Sequence, residues 1–175
     1  ENLGIWQGSF TRMSPRGRLR EHILSQVSLE SLNNSTTVRQ TIRFFAADRQ
    51  TLKQEKVLEY SSLSRSVLVF ESGAFSQGSM QYGPFAAFGA ELGFKQDNRR
   101  LRLVQQYDKQ AQLDAITLIR EHLQGTEPLQ RPPLTLSHAL GEWRGTAVTL
   151  YPNLSPADHT ETICVMEQRG DRVCY

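Results

Sequence analysis

The chain has 175 residues and a mass of 19.9 kDa, the size of one domain with room for part of another. Its 38 % hydrophobic and 22 % charged residues are ordinary for a globular protein, and Lys+Arg 20 against Asp+Glu 18 lacks the basic excess of a nucleic-acid binder. No apolar run approaches the roughly 20 residues of a transmembrane helix, and no leader pattern is visible. Two cysteines, Cys164 and Cys174, make no disulfide framework, so a cytoplasmic, reducing location is expected.

In chain order, residues 5–13 read as a strand holding Trp6 and Phe10. Residues 20–31 place Ile23, Val27 and Leu29 at alternate positions. Residues 36–46 alternate cleanly, with Val38, Gln40, Ile42 and Phe44 on one face and Thr37, Arg39, Thr41 and Arg43 on the other. Strands at 55–61 and 65–71 follow, then the Gly/Ser-rich tract Gly73–Tyr82, which reads as a bent or bulged strand or as a close approach to a ligand. Residues 86–95 space Phe88, Ala90, Leu92 and Phe94 evenly, and 100–107 do the same with Leu101, Leu103, Gln105 and Tyr107. The segment 113–123 fits a strand through Ile116–Ile119 better than a helix. About eight to ten short antiparallel strands separated by turn residues predict an all-β barrel or sandwich, and barrel closure removes the exposed edges.

A repeat organises the whole chain. Leu3-Gly4-Ile5-Trp6-Gln7-Gly8 and Leu140-Gly141-Glu142-Trp143-Arg144-Gly145 share L-G-x-W-x-G, and Pro15 and Pro152 follow the two Trp at the same offset. Between them, residues 124–137 hold Gly125, Pro128, Pro132 and Pro133, a linker composition. The expected organisation is a barrel over 1–123, a Pro-rich linker over 124–137, and the first strands of a second, incomplete unit over 138–175.

G-x-W on a first strand resembles the signature of lipocalins and the wider calycin group. The resemblance implies an antiparallel barrel closed at one end by Trp6, with a late-strand arginine across the indole. Arg120 is the expected partner, with Arg100 or Arg102 as the alternative if 113–123 is helical. Val69–Ser79, Phe88-Gly89-Ala90-Glu91-Leu92-Gly93-Phe94 and Leu118-Ile119-Arg120-Glu121 are similar to a cyanobacterial and plastid family known as a domain of unknown function. That similarity covers residues 2–123 and implies a plastid stroma location in a plant or alga. At fold level, the S-type phycobiliprotein lyases are a more distant likeness.

Three groups of residues are binding candidates. Arg39 and Arg43 share a strand face, where they could hold a carboxylate if that face lines a cavity; if it faces water, it is a solvated face. The aromatics Tyr60, Phe70, Phe75, Tyr82, Phe88 and Tyr107 could line an apolar pocket or simply fill a core. Trp6, Arg120 and Trp143 are expected to be structural. The four histidines, His22, His122, His138 and His159, lack metal-site spacing, and no nucleophile elbow occurs, so neither a metal nor catalytic residues are expected. Glu71 and Glu91 could pair as carboxylates on neighbouring strands, although solvent is the commoner place for strand glutamates.

The expected function is non-catalytic binding of a small amphipathic ligand, a lipid, pigment or tetrapyrrole, with bilin, carotenoid or fatty acid as the ligand classes left open. A bilin lyase or chromophore chaperone acting on a phycobiliprotein partner is one alternative. The other is a packed barrel serving as an assembly or protein-interaction factor.

Overall fold

The computed structural model describes residues 2–62, 64, 66–79, 83, 86–128 and 133–175. The chain divides into two compact units, Glu1–Pro128 and Leu129–Tyr175. Unit 1 carries β1 (Gly4–Met13), β2 (Leu19–Leu32), β3 (Thr37–Phe45), β4 (Leu52–Tyr60), β5 (Val67–Val69), β6 (Phe75–Gly78), β7 (Phe88–Gln96), β8 (Arg99–Tyr107) and β9 (Leu113–Leu123). Unit 2 carries a short α1 (Leu136–Ala139), β10 (Gly141–Thr149), β11 (Asp158–Arg169) and β12 (Arg172–Cys174).

Unit 1 is one antiparallel sheet in the order β4-β3-β2-β1-β9-β8-β7-β6-β5. Every neighbour is a sequence neighbour except β1 and β9, whose pairing is the closing contact of an up-and-down barrel. The sheet is therefore a curled calycin-like barrel, opened along one seam, with β4 and β5 as its edges among the described residues. Segment 113–123 is a strand because its neighbours on both sides, β1 and β8, satisfy its backbone throughout.

Registry fixes which side chains share a face, because directly opposed residues point the same way. Trp6 opposes Val27 and Leu123, Phe10 opposes Ile23 and Ile119, and Val27 opposes Ile42. Trp6, Val27, Ala115 and Ile119 are the buried apolar core, so this face is the inner one. On β3 it takes Val38, Ile42 and Phe44, as alternation predicts.

On β7 and β8 the expectation inverts. Arg102 opposes Ile119, Arg100 opposes Glu121, and Glu91 opposes Val104. Arg100, Arg102 and Glu121 are thus inside and buried. Phe88, Leu92 and Phe94 on β7, with Leu101, Leu103 and Tyr107 on β8, point outward.

The closed end is built around Trp6. Its indole N–H donates to Asn2 O at 2.9 Å, and Asn2 Nδ2 donates to Gly73 O in the β5–β6 turn at 2.9 Å. Position 8 must lack a side chain: a Cβ on Gly8 would lie 1.9 Å from Arg120 O, so β1 and β9 meet too closely for any other residue.

Unit 2 repeats the first hairpin. Gly141 opposes Met166, Trp143 opposes Cys164 and Gly145 opposes Thr162, just as Gly4 opposes Leu29, Trp6 opposes Val27 and Gly8 opposes Ser25. Gly4 and Gly141 have φ of 121° and 120°. The Trp143 indole donates to Ala139 O at 2.9 Å, four residues back, as Trp6 does to Asn2 O. Beyond β11 the hairpin at Gly170 leads into β12, where Cys174 opposes Glu167. Cys164 is an odd number of positions from Glu167, so the two cysteines lie on opposite faces, and both are free thiols.

Candidate functional site

The inner face of unit 1 gathers four charged side chains. Glu121 from β9 accepts from Arg100 Nε at 2.8 Å and from Arg102 through Nε and Nη2, both at 3.1 Å. The Arg102 contact is bidentate, so it fixes the guanidinium in orientation as well as position. Arg102 Nη1 then donates to Glu91 Oε1 at 2.9 Å. Two guanidiniums and two carboxylates compensate one another, which is what allows them to be buried.

Arg100 packs its guanidinium 4.5 Å above the Trp6 ring, and Arg102 lies 5.5 Å from the Phe10 ring. Burial alone would raise the Glu121 carboxyl, but the charges of Arg102 and Arg100 more than reverse that and hold it below its ordinary value. Burial lowers Arg100. Burial also works against Arg102, yet Glu121 and Glu91 together raise it.

Glu91 is the least buried member of the group; its side chain is 21 % exposed against 0 % for Glu121. Tyr60, on edge strand β4, is raised above its usual value by burial and by Glu91. Tyr60 opposes Val38, which puts it at an inner-face position of β4. Tyr60 also donates its hydroxyl to Gln40 Oε1 at 2.9 Å. The apolar wall beside them is Phe10, edge-on to Phe44 at 5.1 Å, and Phe75, whose ring lies on Gly93. Two buried polar atoms on this face, Arg100 Nη2 and Ser25 Oγ, have no hydrogen-bond partner, so the face retains unused polar capacity.

Of the residues singled out from sequence, Tyr60 and Phe75 both lie at inner-face positions. Arg39 and Arg43 do not. They point outward and are taken up by Glu59 and Glu55 of β4 at 2.8 and 2.6 Å, because the partner strand presents a carboxylate opposite each. Phe88 and Tyr107 stack at 4.5 Å with an interplanar angle of 3°, but on the outer face, because their register matches that of Leu92 and Leu103. Phe70 sits half-buried in the β5–β6 turn, with its N–H bonded to Ala74 O. Tyr82 lies outside the described residues.

Trp6 closes the barrel, but the arginine over it is Arg100 rather than Arg120. Arg120 opposes Ser9 and Leu101, which places it on the outer face although its strand is the last one. Trp143 is 53 % exposed. Glu91 pairs with Arg102 rather than with Glu71. Arg100 and Arg102 were named in the sequence only as alternatives to Arg120, and the role of Glu121 was hidden by its apolar neighbours; the usable signal was the Arg100-x-Arg102 spacing, which puts both guanidiniums on one strand face.

A groove of about 560 Å³ lies on the outward face of β1 and β2, lined among others by Gln7, Ser9, Leu24, Gln26 and His122. Among the described residues no group of His, Cys, Asp and Glu could hold a metal ion, and no helix is long and apolar enough to cross a membrane.

Residues 1–126 match the family described as Domain of unknown function (DUF3598), N-terminal. Residues 130–175 match Biogenesis factor required for ATP synthase 1, C-terminal domain. A crystal structure of a protein of unknown function from the DUF3598 family of Nostoc punctiforme superposes with a TM-score of 0.88 at 42 % identity, over 99 % of this chain and 66 % of that one. The chain thus spans just under two thirds of that relative's length. An S-type phycobiliprotein lyase, CPES from Guillardia theta, gives a TM-score of 0.48 at 11 % identity over 72 % of this chain and 90 % of that one. No curated protein matches.

Proposed function

The chain belongs to the DUF3598 family, and from that footing we propose that unit 1 binds a small amphipathic molecule, without catalysis, on the inner face of its sheet. Phe10, Phe44 and Phe75 would take the apolar body, at roughly 25 cal/mol per Å² buried before ordering costs. The polar end would meet Glu91. The observation that carries this is the division of Arg102. Glu121 occupies two of its nitrogens and Glu91 the third, so Glu91 presents a fixed carboxylate on the inner face, which also holds the unpartnered Arg100 Nη2 and Ser25 Oγ. The second oxygen of Glu91 has no protein donor among the described residues. Such a site favours a ligand that brings a donor, a hydroxyl or a ring N–H, to Glu91 over one whose only polar group is a carboxylate; a bilin qualifies through its pyrrole N–H groups although it also carries propionates. Among the expected classes this selects a tetrapyrrole or a hydroxylated carotenoid over a fatty acid.

The test is titration with biliverdin and with a fluorescent fatty acid. Biliverdin should bind the more tightly, Glu91→Gln should weaken it about tenfold, and Arg39→Ala should leave it unchanged. Preference for the fatty acid, or indifference to Glu91→Gln, overturns the reading.

A second reading, an assembly or protein-interaction factor, is favoured by the match of residues 130–175 to a domain of an ATP synthase biogenesis factor. On this reading residues 138–175 form the opening strands of a second barrel unit after a linker over 124–137. The repeated register and indole bond support this.

A further inference from the structure

We infer that the outward face of β7, β8 and β9 is a docking surface for an acidic, leucine-bearing segment of a partner protein. The inference rests on the second reading above, that of a protein-binding factor, and not on the interior ligand.

The surface is laid out by register. Leu92 opposes Leu103, Phe94 opposes Leu101, and Leu103 opposes Leu118. Three adjacent strands thus present one continuous apolar field. Leu92, Phe94 and Leu101 are 43 %, 59 % and 43 % exposed. Scattered exposed leucines are normal on a protein surface, but a contiguous field on a rigid sheet marks a contact. The burial of Arg100, Arg102 and Glu121 on the other side of these strands makes the point sharper. Apart from Val104, the large apolar residues of β7 and β8 are not spent on the core of unit 1.

The charge at the rim identifies the partner's chemistry. Arg99 and Arg120 point outward at the Trp6 end of the same field, and neither has an ion pair among the described residues. The only carboxylate at an outward position of these three strands is Asp114, at the far end of β9, and it is already held by Arg12 and Arg20 at 3.6 and 3.2 Å. On β3 and β4 the outward arginines each have a glutamate. Among the described residues Arg99 and Arg120 thus stand without an ion pair beside the apolar field, and a partner segment with a leucine face and glutamates at its border complements both.

The full-length protein is titrated with a synthetic helical peptide carrying a leucine face bordered by glutamates. The comparison probes are the same peptide bordered by lysines and vesicles of phosphatidylglycerol. The glutamate peptide should bind at least tenfold more tightly than the lysine peptide. Phe94→Ser with Leu101→Ser should weaken it at least tenfold at an unchanged melting temperature. Arg99→Glu with Arg120→Glu should reverse the preference between the peptides, and Arg39→Ala should change nothing. No peptide binding, equal binding by the Phe94→Ser, Leu101→Ser protein, or tighter binding to the vesicles overturns the proposal, the last in favour of a membrane. A host protein captured equally by wild type and the Phe94→Ser, Leu101→Ser protein sinks this surface and leaves the protein-binding reading standing. No host protein captured by either, together with no peptide binding, sinks both.

Discussion

Strands β2–β4 and the pair β7–β8 belong to one sheet yet obey opposite rules. In β3, Val38, Ile42 and Phe44 face in, while Arg39 and Arg43 face out and pair with Glu59 and Glu55. In β8, Arg100 and Arg102 face in and pair with Glu121, while Leu101 and Leu103 face out. The first half solves the burial problem in the usual way. The second buries charge, which costs desolvation that only close pairing offsets, and exposes carbon, which gains nothing until something covers it. A protein evolved for stability alone has no use for the second arrangement. It is intelligible where the inner face must recognise a polar group and the outer face must meet an apolar one.

The contrast breaks most visibly at its charged centre. Glu121→Ala leaves Arg100 buried without a carboxylate and Arg102 with Glu91 alone, and should cost about 3–5 kcal/mol, whereas Glu59→Ala, at an exposed pair, should cost about 0–1 kcal/mol. Urea denaturation of the two variants measures the difference directly. Of similar size, Ile119→Ala at the 2 % exposed core position should cost about 2–5 kcal/mol.

Acid sharpens the same contrast. The folded-state value of Glu121 lies below its ordinary 4.5, so its contribution is fully present above that ordinary value and is lost as pH falls through the lowered one. Melting temperature should therefore drop on acidification below about pH 4.5, and Glu121→Gln should flatten that dependence. An unchanged acid slope in Glu121→Gln would place the acid-sensitive group elsewhere.

The smallest effects belong to the surfaces. Phe94→Ser and Leu101→Ser remove exposed carbon and should each change unfolding free energy by no more than about 0.5 kcal/mol. Arg43→Ala should fall within about 1 kcal/mol. Melting curves suffice for both, and a large loss at Phe94 would mean that its ring is core after all.

The inversion also explains what the sequence could and could not reveal. Alternation located the strands, including β9, because period-two patterning survives whichever face is buried. The face of β3 was legible because apolar and charged residues segregate there. On β7 and β8 the same pattern points the wrong way: Leu92, Phe94, Leu101 and Leu103 read as core until the partner strand sets the register. One shift of parity separates Arg120, on the outer face, from Glu121, at the centre of the buried cluster, and only the pairing of β9 with β1 decides it. Arg39 and Arg43 were legible as a pair on one face; that Glu59 and Glu55 answer them is a long-range fact.

The pairing of Trp6 with Leu123 has a kinetic side. Unit 1 consists of two meanders of local hairpins, β1–β4 and β5–β9, joined in space by a single distant ladder, β1 against β9. Hairpins close short loops quickly, while a ladder between the first and last strands must wait for the longest loop in the unit. The slow step of folding is then the zipping of that seam, with Gly8 at its tightest point. A backbone cut between β4 and β5 removes no strand pairing, so two fragments divided there should find each other and rebuild the sheet.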